Sequence, residues 1–251
     1  MSVRDTEKES ESDDQEEIIP QKKKRVHRGK HELFDKIAFN VLSFLESFEE
    51  VGDINFCAPE GSMTSCRVWE GKHVPYILPF DIKGFAGLFN GLSLKWSVDV
   101  GAESVEIGEI NINKVEAMVE VDLSGEFLKY SEDRDLELLP PGPLTAMAFE
   151  IAKTADGVVV MLFRTKPSND AETACEIWYK EYLHSTWNFV CHTFTQYLRL
   201  CVLHLGIFGW HKIFTPEGIS MTTRQWMGMF CRERLCVYQH HVAKMNAQSS
   251  S

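Results

Sequence analysis

Apolar side chains first fall into a period at Leu33. Leu33, Phe34, Ile37, Val41, Phe44, Leu45 and Phe48 are spaced by threes and fours, which puts them on one face of a single predicted helix. After Gly52, residues 54–57 form a short β-like run, and the Gly-, Ser- and Thr-containing stretch up to Trp69 shows no clear period. Residues 78–98 are plainer. Ile82, Phe85, Leu88 and Phe89 suit a short helix despite Gly84 and Gly87, and Asn90-Gly91, two residues that tolerate positive φ, end it. Leu92, Leu94, Trp96 and Val98 then alternate with Ser93, Lys95, Ser97 and Asp99, the period of two of a half-buried strand. Residues 105–112 read as a further strand, whereas residues 115–123 fit a strand or a short helix equally.

Residues 124–143 are polar and end in Pro140, Pro141 and Pro143, which excludes a helix interior or a central strand there. Beyond them, residues 144–152 and 158–164 flank Asp156-Gly157, a hairpin-turn pair between β-prone runs, and residues 176–179 predict a third strand. Residues 181–205 hold neither Pro nor Gly. Leu183, Trp187, Val190, Phe194, Tyr197, Leu198, Cys201 and Leu205 keep helical spacing, so one long helix stopped by Gly206 is predicted. Ser220 is placed to cap a last helix through Trp226 and Phe230, and the terminal residues should fray. The division that follows is a disordered tail over 1–30, a single folded domain over 31–235 and a frayed C-terminal tail over 236–251.

Charge sharpens the first boundary. The net charge of −11 conceals a reversal: residues 1–20 carry two basic and eight acidic groups, residues 21–30 six basic groups and no acid, and residues 31–251 the whole −11. Such an acidic body speaks against nucleic acid as a partner, since phosphate neutralisation needs a broad basic face. Cys57, Cys66, Cys175, Cys191, Cys201, Cys231 and Cys236 form an odd, irregularly spaced set, the usage of a reduced, intracellular protein. An N-terminus rich in Glu, Asp and Ser does not resemble a secretion signal, and no apolar run approaches the ~20 residues that cross a bilayer, so no membrane insertion is expected.

Candidate chemistry is sparse. Neither the P-loop nor the dinucleotide fingerprint occurs, so no phosphate cradle is evident, and no Gly-x-Ser-x-Gly elbow activates a serine. Cys191 and His192 are adjacent and would diverge on a helix, which favours a structural cysteine over a nucleophile. Cys231, Cys236, His240 and His241 offer zinc-type donors in one span, but their spacing is irregular and a structural or solvent-facing reading is preferred; Cys201 and His204 share a helical face without further ligands. No catalytic residue, metal ligand or cofactor site is therefore assigned. The basic run Lys22, Lys23, Lys24 and Arg25, extending to Lys30, reads as a solvated tail, an import-like patch or a contact for an acidic partner. The aromatic residues Trp178, Trp187, Trp210, Trp226 and Phe230 read as core or as a protein interface.

Two blocks resemble the family of tubulin polyglutamylase complex subunit 2. In LPFDIKGFAGLFNGLSLKWSV, continued by EIGEININKVEAM, the matching positions are Leu78, Pro79, Asp81, Asn90, Gly91, Trp96, Ser97, Val98 and Gly108. The second and more specific block runs from Glu176-Ile177-Trp178 through Thr193-Phe194-Thr195, Tyr197, Arg199-Leu200, His204-Leu205-Gly206, Trp210 and Phe214 to Gly218-Ile219-Ser220 and Gln225-Trp226. The resemblance spans roughly residues 33–230 and leaves the N-terminal tail out. It implies an α+β class: a single domain like those of the SUKH superfamily of cell-wall-regulator and toxin-immunity proteins, with a mixed, largely antiparallel sheet and helices packed around it.

It also implies a non-catalytic adaptor or scaffold subunit of a tubulin polyglutamylase complex, which supports addition of glutamate chains to tubulin C-terminal tails by a separate ATP-dependent ligase subunit. Other complex subunits are the implied partners, with tubulin or microtubules contacted indirectly or through the basic run. The implied location is the cytoplasm and cytoskeleton: centriole or basal body, cilium or flagellum. Trp178, Trp187, Trp210, Trp226, Phe230, Lys22, Lys23, Lys24 and Arg25 are the interaction candidates. An immunity-like module that sequesters one specific protein shares the fold and is the alternative. A zinc-dependent enzyme built on the C-terminal Cys/His cluster is the minor one.

Overall fold

A computed structural model of the protein describes residues 28–129, 137–138, 146–163 and 175–248. The expected acidic tail and the basic Lys22, Lys23, Lys24 and Arg25 lie outside those residues. Helices α1 (Arg28–Ile37) and α2 (Val41–Leu45) lead into β1 (Val51–Cys57), α3 (Met63–Lys72), α4 (Phe80–Leu88), β2 (Leu92–Val100) and β3 (Glu103–Ile112). A 3₁₀ turn at Val115–Ala117 precedes β4 (Glu120–Val121), β5 (Phe127–Lys129) and β6 (Glu137–Leu138). Then come β7 (Met147–Lys153), β8 (Gly157–Phe163), β9 (Glu176–Glu181), β10 (Thr186–Cys191), α5 (Phe194–Leu203), a 3₁₀ turn at Trp210–Phe214, α6 (Met221–Phe230) and α7 (Arg232–Gln248). Among the described residues no helix is long and apolar enough to cross a membrane.

The strands form two sheets, β1-β2-β3, and β4-β7-β8-β9-β10-β5-β6, in which all pairs are antiparallel except β10 with β5. This is the expected α+β class. The alternation in β2 sends Leu92, Leu94, Trp96 and Val98 into the core. In β8 the alternation vanishes, because Val159, Met161 and Phe163 face the main core while Val158, Val160 and Leu162 face a second cluster holding Trp178 and Trp187. The sheets meet where the Asn113 N–H donates to the Ile151 carbonyl at 2.8 Å and Asn113 Nδ2 to Glu150 Oε1 at 3.1 Å.

Trp96 fastens the small sheet to the C-terminal half. Gly108 stands opposite it on β3, and a Cβ at that position would be driven into the indole nitrogen. The space left by the missing side chain lets Trp96 Nε1 cross β3 and donate to the Leu205 carbonyl at 2.7 Å. Leu205 and Gly206 both take left-handed backbone, with φ of 54° and 63°. This sharp exit from α5 lets the Glu109 N–H donate to the Gly206 carbonyl and the Phe208 N–H to the Ile107 carbonyl, a short ladder along β3. Beyond the corner, His204 stacks flat on Trp210, ring centroids 4.7 Å apart, and His211 Nε2 meets the Tyr197 hydroxyl at 3.1 Å. Burial holds both imidazoles neutral, lowering His204 to about 4 and His211 to about 3, and the Arg234 charge adds to the effect on His204.

Three expectations need correction, and the reading left open at residues 115–123 is resolved. Residues 33–48 are two helices, because the chain turns at Phe39 and Asn40, both in left-handed conformation. The predicted helix over 181–205 is strand β10 followed by α5: Trp187 and the residues around it pair with β9 and β5, and α5 begins only where Thr193 Oγ1 accepts the Gln196 N–H. Pairing on both sides outweighs helical spacing there. Residues 115–123 resolve into a 3₁₀ turn and the two-residue β4. The chain from 236 onward continues as α7 to Gln248. Ser220 caps α6 as expected, accepting the Thr223 N–H at 3.0 Å.

Gly108→Ala should lower unfolding free energy by about 3 kcal/mol, since overpacking is combined with loss of the indole bond; a urea midpoint unchanged from wild type would contradict the Trp96 contact. The two histidines predict acid lability. In the unfolded chain they titrate near ~6.5, so between that pH and their folded values the unfolded state binds more protons. Their contribution is therefore complete above about pH 6.5 and is lost as pH falls toward 4. Urea midpoints followed across this window should decline, and less steeply in His204→Gln; a wild-type slope in that variant would contradict the assignment.

Candidate functional site

The corner between α1 and α2 arises from one carboxylate. Asp35, near the end of α1, accepts the Leu42 N–H at 2.8 Å, the Ser43 N–H at 3.1 Å and the Ser43 hydroxyl at 2.7 Å. An acidic side chain so placed caps the short α2 from outside and draws its N-terminus back over α1. The intervening residues absorb the reversal: Phe39 and Asn40 have φ of 53° and 58°, and the Asn40 N–H closes on the Asp35 carbonyl. Left-handed backbone costs about 1–3 kcal/mol for a bulky residue. The phenyl ring that results is 64% exposed.

Phe39 separates two apolar concavities. One, of about 440 Å³, lies between Phe44, Leu203, Met229 and Phe230, with Arg232, Glu233 and Arg234 at its edge. The other, of about 360 Å³, lies between Ile37, Phe85, Leu88 and Leu198, with Asp81 and Arg199 at its edge. Phe39 and Val202 line both, so the two make one groove with Phe39 as its ridge. Ile37, Phe44, Leu88, Leu203 and Met229 are all exposed within it. An aromatic series runs from this surface to the centre of the fold: Phe44 edge-on to Phe48, Phe48 to Phe230 and Phe230 to Trp96, with centroids 5.1, 5.1 and 5.0 Å apart.

Charges around the groove are unevenly satisfied. Asp81 is engaged in the fold, accepting the Thr195 N–H at 2.8 Å and the Ile82 N–H at 3.0 Å. Among the described residues, Arg199, Arg232 and Arg234 form no ion pair with a carboxylate, and Arg234 Nε is buried without a hydrogen-bond partner. Lys83, Lys153 and Lys180 elsewhere each have one and Lys95 and Lys212 two, while among the described residues Arg67 and Arg224 also have none. Cys231 lines the first concavity as an uncharged thiol, burial pushing it up to about 12.

Of the sequence-derived interaction candidates, Lys22, Lys23, Lys24 and Arg25 lie outside the described residues, and most of the others stand away from the groove. Trp178, Trp187 and Trp210 are fully buried, so they are core and not surface anchors. Trp178 donates to Glu176 and Trp187 to Glu126, while Trp210 carries His204 on its face. Trp226 is half-buried, and Phe230, though itself buried, forms part of the groove floor. Cys231, Cys236, His240 and His241 are not gathered: among the described residues no three His, Cys, Asp or Glu side chains converge as a cation site requires. Cys191 is buried and pushed up to about 12, away from any thiolate role. Missed altogether were Phe39, Leu203, Met229, Arg232 and Arg234, while Arg199 enters only as a position of the resemblance. The available signal was Phe39 itself, a large apolar residue off the helical face and directly before Asn40.

The molecule is thus an α+β body with one extended apolar, arginine-edged groove. Curated proteins named tubulin polyglutamylase complex subunit 2 are similar to it along most of their length. The rat protein (Rattus norvegicus) is 28% identical over 225 residues, covering 82% of this chain and 74% of its own, and the mouse protein (Mus musculus) gives the same figures. The human protein (Homo sapiens) is 26% identical over 214 residues, covering 78% and 69%. No family model and no solved structure matches. These similarities support the family of tubulin polyglutamylase complex subunit 2 for this chain.

Phe39→Gly should leave stability unchanged or raise it by about 1 kcal/mol, since left-handed strain is relieved and little apolar burial is lost. Thermal unfolding checks this; a fall of several degrees would show that the ring holds the fold together.

Proposed function

We propose that the chain is a binding subunit of a tubulin polyglutamylase complex that makes and breaks no bonds itself. It holds other subunits around a separate ATP-dependent ligase, which extends glutamate chains on tubulin C-terminal tails. Placement on the cytoskeleton, at centrioles or basal bodies and in cilia or flagella, belongs to the same proposal.

The observation that carries it is the groove at Phe39. A fold that accepts left-handed backbone to hold an aromatic ring in water is arranged for contact with something outside itself. The similarity to proteins named as subunits of that complex supplies the setting. The buried reactive groups support a binding role. Cys175, Cys191 and Cys201 are all raised to about 12 by burial, and Tyr179 and Tyr197 are raised as well, so these groups stay protonated near neutral pH. Poised acids, bases and nucleophiles have pKa values drawn toward the working pH.

Reconstitution tests this. The chain should co-purify with the other subunits of the complex, glutamylation of tubulin should drop about tenfold or more when it is omitted, and the chain alone with ATP, glutamate and tubulin should add none. Full activity of a complex lacking the chain, or turnover by the chain alone, would contradict the proposal.

A further inference from the structure

The three unpaired arginines say what kind of partner the groove takes. The chain carries a net charge of −11, yet Arg199, Arg232 and Arg234 line an apolar surface and pair with none of the described carboxylates. The two acids on the same edge do not offset them equally: Asp81 is spent on the start of α5, and Glu233 is a single exposed residue in the first turn of α7. Arg234 is the most telling. Its Nε is out of water and has no hydrogen-bond partner within the fold. A carboxylate brought to it would gain a charge-assisted, potentially bidentate bond in a dry setting.

The shape adds a second requirement. The concavities of about 440 and 360 Å³ stand on either side of the Phe39 ring, and each has room for one or two large apolar side chains. A ligand of charge alone would leave Phe39, Leu203 and Met229 in water. A purely apolar ligand would leave the arginines unpaired. We therefore infer that the groove is the docking site for an acidic amphipathic segment of another subunit, with one large apolar side chain on each side of Phe39 and its carboxylates against Arg199, Arg232 and Arg234. This rests on the adaptor reading above and specifies the surface and the partner chemistry for it.

The test uses the full chain and the purified partner subunits, with affinity measured at about 0.05 and 0.2 M salt. Arg199→Glu/Arg232→Glu changes two exposed residues and should weaken binding about tenfold or more while flattening the salt dependence. Phe39→Asp should weaken it comparably and keep the salt dependence. Leu183→Asp, at a position 96% exposed outside the groove, should bind as wild type. Thermal unfolding confirms that each variant is folded. Wild-type affinity in both groove variants overturns the inference, as does a loss in the arginine variant with an undiminished salt slope. Equal competition by a poly-glutamate peptide and by the partner subunit would also overturn it, reducing the groove to a basic patch. So would tighter partner binding on removing residues 1–20 together with competition by a synthetic 1–20 peptide, since the occupant would then be the chain's own Ile18-Ile19 segment. If the wild-type chain binds no subunit of the complex, it is the adaptor reading that fails.

Discussion

The indole of Trp96 is the constraint on which the rest of the molecule leans. It lies across β3 at Gly108, reaches the Leu205 carbonyl and meets the edge of Phe230, so a single side chain touches the small sheet, the exit from α5 and the base of α6. The groove takes its walls from those same elements. Val202 and Leu203 come from α5, Met229 and Phe230 from α6, and the Phe44 and Phe48 rings complete the path from Trp96 to the surface. A residue in the first sheet thus sets the geometry of a surface formed mainly by the C-terminal helices.

Polar groups divide sharply between interior and groove. Inside, His204, His211 and the buried thiols are kept uncharged, so the core carries little internal electrostatic repulsion and tolerates its dense aromatic packing. At the groove, arginine charge is left unmatched and Phe39 is left in water. Buried polar atoms without a hydrogen-bond partner also occur away from the groove, at Trp69, Tyr179 and Asn188, so it is the exposed aromatic ring beside unpaired arginine charge that sets this surface apart. Stability is yielded at one surface, as is usual where a molecule must accept something else.

Local signals were readable in the sequence wherever one interaction decided the outcome. The alternation of β2, the Asn90-Gly91 exit, the Asp156-Gly157 hairpin and the Ser220 cap each follow from backbone chemistry a few residues long, and the structure shows all four. Distant partners hid the rest. Residues 186–191 carry helical spacing but lie between β9 and β5, and only those neighbours make them a strand. Spacing alone puts Ile37 and Phe44 on one face with Phe34, but Asp35, by capping α2, turns the chain between them. For Trp178 and Trp187 the sequence leaves core and interface both open, since tryptophan serves in either, and only the second core cluster decides for the interior. The groove depends on α1, α4, α5, α6 and α7 converging, and no single stretch of sequence contains that convergence.

The central claim is that this chain works through the surface around Phe39. Hydrogen exchange compared between the free chain and the assembled complex tests it most directly. The account predicts slowed exchange concentrated in residues 37–44, 198–203 and 229–234, with the β7–β10 strands unchanged. Protection confined to other surfaces, with those three segments exchanging as they do in the free chain, would contradict it.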